Sequence, residues 1–233
     1  MEESNEKNIL IILAVAVVTL LCVNLTLAES DVAKKFGIFG SIGGSQYSEM
    51  YGEDGDEEIR EGAPELNGGV TGQGGVIFRF NKNLQWGAEI GYSSALAEQE
   101  AKDYSGEWKL PLLETGLRAQ YLFDVLPECY LGLGASANFL FVNGVVDFTS
   151  DDPDYDTDPN DYLQGSDLGY KFFLTGQYFI TDNIALGGEV GYRLAKVKLD
   201  AFNKDGKKIN PDDYKLVVDY SGMLGQVNMY FYF

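Results

Sequence analysis

Seven charged residues sit inside otherwise alternating polar and apolar stretches of this chain: Arg79, Glu89, Glu114, Arg118, Lys171, Glu189 and Arg193. Each falls on the face opposite the apolar one. Four cations and three anions enclosed together are expected to pair, because a buried charge without a partner is expensive. Such a network can act as a salt-bridged plug, or as a gate whose pairs exchange to admit ions. Acid–base catalysis is poorly supplied. The sequence has His 0, which removes every histidine-dependent dyad or triad, and no paired-carboxylate motif replaces it. An enzyme is therefore not expected, nor is a cofactor.

A second constellation is acidic. Asp152, Asp154, Asp156 and Asp158 place a carboxylate at every second position of D-D-P-D-Y-D-T-D-P-N-D, a spacing that invites calcium. Read as an EF-hand loop it fails: position six is Thr157 rather than Gly, and position twelve is Leu163 rather than Glu. These residues are weak candidates for loose divalent association within a solvated acidic loop. The net charge of -19 excludes a phosphate-neutralising stripe and argues against nucleic acid.

The elements that must position the seven charges are eight strand-like runs with period-2 alternation. They cover Lys35–Gln46, Gly68–Phe80, Leu84–Ser94, Trp108–Phe123, Cys129–Asn143, Leu168–Ile180, Ile184–Lys196 and a last run from near Tyr214 to Phe233. The third run sets Leu84, Trp86, Ala88, Ile90 and Tyr92 against Gln85, Gly87, Glu89, Gly91 and Ser93. In the eighth, Met223, Val227, Met229, Phe231 and Phe233 alternate with Gln226 and Asn228. Runs two, four and six end in short turns such as Asn81-Lys82-Asn83 and Thr181-Asp182-Asn183. The connections after runs one, three, five and seven are long, spanning Gln46–Gly68, Gly144–Asp167 and Val197–Asp213 among others. Short turns on one side and long loops on the other mark an outer-membrane barrel, for which eight is the smallest even strand number. Aromatic residues gather near the short turns (Phe78, Phe80, Trp86, Tyr121, Phe123, Tyr178), as an interfacial girdle requires. Inward glycines at 87, 91, 116, 132, 134, 187 and 191 leave room in a narrow barrel.

Ahead of these runs, Ile9–Val23 is apolar except for Thr19 and leads to Ala28 and then Glu29-Ser30-Asp31. This reads as a secretory signal over residues 1–28 with the barrel domain at 29–233. The acidic n-region leaves an uncleaved anchor as the alternative. Cys22 lies in this leader, and Cys129 is then alone and reads as a small apolar residue.

On these features the chain resembles the small outer-membrane β-barrel family, of the OmpA-barrel and OmpX type. The segments Asn83-L-Q-W-G-A-E-I-G-Tyr92 and Asn183-I-A-L-G-G-E-V-G-Tyr192 are similar to strands of that family. The aromatic Phe233, with Phe231, Met229 and Val227, looks like the signal read by the barrel-insertion machinery. The resemblance implies an all-β, eight-stranded antiparallel up-and-down barrel in the outer membrane. It also implies contact with membrane lipid and lipopolysaccharide and a monomeric state. An extracellular partner could engage the acidic loops. The expected role is structural or surface-interacting, through adhesion or envelope integrity, with a narrow gated pore as the alternative. A soluble lipocalin-like barrel is the rival fold, and it requires the charged faces to turn outward.

Overall fold

The computed structural model describes residues 35–47, 49–52, 66–101, 104–150, 161–202, 207–208 and 216–233. The leader over 1–28, the four candidate aspartates and the acidic stretch 53–65 lie outside the described residues. Among the described residues fourteen strands follow one another as β1 (Lys35–Ser45), β2 (Glu49–Gly52), β3 (Leu66–Asn67), β4 (Gly69–Arg79), β5 (Leu84–Ser93), β6 (Leu96–Ala101) and β7 (Tyr104–Lys109). They continue as β8 (Leu112–Leu126), β9 (Cys129–Ser150), β10 (Asp161–Thr181), β11 (Ile184–Leu194), β12 (Lys196–Phe202), β13 (Leu216–Asp219) and β14 (Gly222–Tyr232).

Eight of them close a barrel. Antiparallel pairing runs β1–β4–β5–β8–β9–β10–β11–β14 and returns from β14 to β1. Stepping from partner to partner traces Phe36, Phe78, Trp86, Ala119, Ala135, Phe172, Tyr192 and Met223. The circuit then ends on Gln46, whose N–H donates to the Met223 carbonyl. That is ten residues further along the chain than Phe36, and with a rise of about 3.3 Å per residue and strands about 4.8 Å apart it tilts the strands by about 40°.

The short turns are made by the residues that make turns elsewhere. The Asn81 side-chain oxygen accepts from the N–H groups of Asn83 and Leu84, both at 2.8 Å. The Thr181 hydroxyl accepts from Asn183 and Ile184 at 3.3 and 3.1 Å. Glu128, in the turn between β8 and β9, holds a φ of 65°.

Alternation sorts the barrel wall into two unlike faces. Outward rows such as Ile38–Ile42, Leu113–Leu117, Leu131–Leu133 and Val227–Phe231 are exposed, as are Trp86, Phe123 and Tyr178 near the short turns. Phe36 stacks on Phe233 at 6.4 Å, Phe78 meets Phe80 edge-on at 5.3 Å, and Tyr121 meets Phe123 at 4.9 Å. Inward positions carry the polar residues. The rival arrangement, with charges outward and aromatic rows inward, is not what forms. Leu84 departs from its row: it is fully buried at the turn.

The long connections correct the sequence reading. Within the spans expected as loops the chain continues as strand: β2 and β3 in the first, β6 and β7 in the second, the ends of β9 and β10 in the third, β12 in the fourth. The ladder keeps its register across several of the short breaks, since Leu96↔Lys109 continues Ser93↔Leu112 and Lys196↔Asp219 continues Arg193↔Gly222. What changes is polarity. Beyond the barrel proper, Ala195, Val197 and Leu199 point inward and are buried, while Lys196 and Lys198 face out. With Met50, Leu66, Leu110, Leu112, Leu140, Val142, Leu163, Val218 and Tyr220 they form an apolar core at the long-loop end. Water replaces lipid around this crown, so its apolar face turns inward as in a soluble sheet.

Candidate functional site: the barrel lumen

The seven charged residues all lie on the inner wall and are buried, but they do not form one network. Four of them meet at mid-height. Arg118 of β8 reaches Glu89 of β5 at 3.3 Å and Glu189 of β11 at 2.8 Å. Lys171 of β10 reaches the same two carboxylates at 3.2 and 3.4 Å. Each cation therefore shares both anions, a closed square drawn from four strands. Glu89 faces Gly116 across the ladder, and a methyl group at Gly116 would run into the Asn138 side chain. Gly134 likewise yields its place to the Phe173 ring.

Neutral residues complete the square. The Arg118 guanidinium lies between the rings of Phe39 and Phe173, 4.8 and 4.5 Å from their centroids, a favourable arrangement for a desolvated cation. Asn138 donates to Glu89 at 3.1 Å and Lys171 donates to Gln73 at 3.1 Å. Below it an amide chain descends towards the short turns. Arg118 donates to Gln120, Gln120 to Gln85, Gln85 to the Tyr232 hydroxyl at 3.0 Å, and Tyr232 to Gln177 at 3.1 Å.

The other three charges stand apart. Towards the crown, Arg193 pairs with Glu114 at 3.5 Å, donates to the Tyr220 carbonyl at 3.2 Å and lies over the Tyr47 ring. Towards the short turns, Arg79 has no carboxylate among the described ion pairs. Its guanidinium lies 5.1, 5.3 and 5.8 Å from the rings of Tyr130, Phe179 and Tyr232, and it donates to the Lys82 carbonyl at 2.9 Å. Sequence reasoning counted Arg79 with the pairs and overlooked the inward aromatics Phe39, Tyr130, Phe173, Phe179, Tyr230 and Tyr232. The signal was there: each lies on the same parity as a neighbouring inward polar residue.

The expected assembly residues sit on the outer wall. Val227, Met229 and Phe231 of β14 are exposed and pair with Ile42, Gly40 and Ile38 of β1. No group of three metal-ligating side chains occurs among the described residues. At the short turns Lys82 pairs with Asp124 at 2.9 Å, and that hydrogen bond holds the Lys82 ammonium above its ordinary pKa. In the crown, the Tyr51 hydroxyl at 3.2 Å is the main cause that raises Lys196, with Asp219 at 3.2 Å adding to it.

Chemically this interior is a set of shared ion pairs and hydrogen-bonded amides packed among aromatic rings. Its three layers are aromatic, ionic and apolar from the short turns to the crown. Residues 13–221 match the family model described as outer membrane protein beta-barrel domain. No curated protein sequence matches the chain. Among solved structures it is similar to the outer membrane protein OprG from Pseudomonas aeruginosa, 14% identical over 86% of this chain and 96% of that one, with a TM-score of 0.55. It is also similar to a major outer membrane protein from Thermus thermophilus, 14% identical over 87% and 100% of the two chains, with a TM-score of 0.56. At these identities the likeness is one of fold.

Proposed function

The chain belongs to the outer membrane protein beta-barrel domain family and resides in the cell outer membrane, and from that premise we propose that it serves there as a closed barrel with a structural or surface-interaction role, in envelope integrity or adhesion. The observation that carries this reading is the square of Arg118, Lys171, Glu89 and Glu189, whose side chains are at most 2% exposed. A lumen stoppered at mid-height by doubly shared ion pairs favours a rigid scaffold over a conduit, because separating any pair leaves a buried charge. The crown and the acidic connections are then the parts offered to an extracellular partner, and the barrel acts as a monomer without catalytic chemistry of its own.

A narrow gated pore is the second reading, and one observation favours it. Lys171 lies almost equally far from two carboxylates, so pairs can be exchanged without stranding an anion. Reconstitution into planar bilayers separates the two. The closed barrel gives no conductance steps in the wild type. Discrete steps that change in Arg118→Ala would replace it with the pore.

A further inference from the structure

Just above the lipid-facing rows, on the outer wall of the crown, lies an open depression of about 730 Å³. It is built by three adjacent strands, β9, β10 and β12. Asn143, Gln164 and Asp200 stand side by side in one cross-strand row, with the Gln164 amide donating to Asn143 at 3.5 Å and Asp200 paired with Lys208 at 3.0 Å. Ser166, Asp167 and Lys198 also line the depression. On the side of β11 and β12 the regular ladder of β10 stops at Gln164 and resumes at Tyr170, while its ladder with β9 runs on unbroken. Phe141 closes the depression on the membrane side and Phe202 on the far side.

This combination selects a class of ligand. Amides, a hydroxyl, two carboxylates and an ammonium supply donors and acceptors in close alternation, and they are bracketed by aromatic surfaces rather than by a cluster of cations. A bare phosphate would want several cations and no carboxylate. A sugar ring wants mixed donors and acceptors for its hydroxyls and an aromatic face for its C–H groups. Location narrows the source. Phe139, Phe141 and Leu168, immediately below, are exposed members of the lipid-facing rows, so the depression stands at the height of the headgroups. The longer connections of such barrels face the cell exterior, where the headgroup is a glycolipid.

We propose that the depression lined by Asn143, Gln164, Ser166, Lys198 and Asp200 is a saccharide site that holds the core sugars of outer-leaflet lipopolysaccharide. The site lies on the outer wall and does not depend on whether the lumen conducts. The test uses the full barrel in phospholipid nanodiscs, titrated with rough-chemotype lipopolysaccharide, with lipid A stripped of core sugars, and with the soluble core oligosaccharide as competitor. Lipopolysaccharide binds saturably, the oligosaccharide competes for it, and Asn143→Ala/Gln164→Ala weakens it at least tenfold, about 1.4 kcal/mol. Lipid A binds wild type and variant alike. Equal affinity for lipid A and lipopolysaccharide, failure of the oligosaccharide to compete, or an unchanged double variant would each overturn the site. Heat-modifiable migration on gels verifies folding. Should the double variant lose it, Lys198→Ala carries the same expectation at a smaller loss, about threefold, and unchanged binding there overturns the site equally.

Discussion

The barrel wall and the crown are two lengths of the same sheet with opposite polarity. In the wall Leu113, Thr115 and Leu117 face out while Glu114, Arg118 and Gln120 face in. In the crown Lys196 and Lys198 face out while Val197 and Leu199 face in. Strand geometry and register are shared, so neither can be the cause. Only the solvent differs. Hydrocarbon cannot hydrogen-bond, so the wall sends its polar groups to the lumen and must satisfy them there. Water solvates the crown's exterior, and the hydrophobic effect turns the apolar row inward. The two solutions also differ in failure. A lumen charge without its partner is costly, whereas a crown residue lost from an apolar core leaves a cavity.

Breaking the wall's solution gives the largest effect. Glu189→Ala leaves Arg118 and Lys171 sharing one carboxylate and should cost about 3–5 kcal/mol, read as a lowered urea midpoint of the barrel folded in lipid vesicles. The next test asks whether facing direction means different things at two heights of the β7–β8 line. Leu117→Arg places a charge on the lipid-facing wall and should cost about 2–4 kcal/mol in the same titration. Lys109→Leu, on the outward row of the crown where Lys109 makes an exposed pair with Glu107, should stay within about 0.5 kcal/mol. Equal losses from the two would erase the distinction between lipid and water surroundings.

A further difference between the two regions concerns pH. Tyr220 is fully buried, donates to the Leu110 carbonyl at 3.0 Å, and burial is the chief cause that holds its phenol well above the ordinary range. The folded pKa is raised, so the stabilisation is complete below the unfolded value of about 10 and is lost as pH rises beyond it. The crown should therefore loosen in alkali, seen as faster amide exchange in β12 and β13 above about pH 10 while the wall strands stay protected. Tyr220→Phe should lose that pH dependence and cost about 1 kcal/mol at neutral pH.

The wall was largely legible from the chain. Period-2 alternation over Leu113–Tyr121 or Ile184–Leu194 states both the strand and which residues share a face, and the turn residues at Asn81 and Thr181 state where it reverses. The crown was not, because its apolar residues follow wall residues with their parity swapped and no turn between. Leu194 faces out and Ala195, the next residue, is buried. Read as one strand this breaks the pattern and suggests a loop. The quartet was half legible. Its members could be placed inside, but not matched to one another.

Composition and alternation alone determined that the chain is a barrel with an apolar exterior, a charged interior and no histidine chemistry, because facing direction is local and needs only the parity of a residue in its strand. Tertiary structure decided which charges meet. Glu89 and Glu189 are a hundred residues apart in sequence, and the tilt and stagger of eight closed strands bring both to the level of Arg118 and Lys171. The same stagger leaves Arg79 among the rings of Tyr130, Phe179 and Tyr232. Height along the barrel axis is a property of the closed sheet, and no single strand carries it.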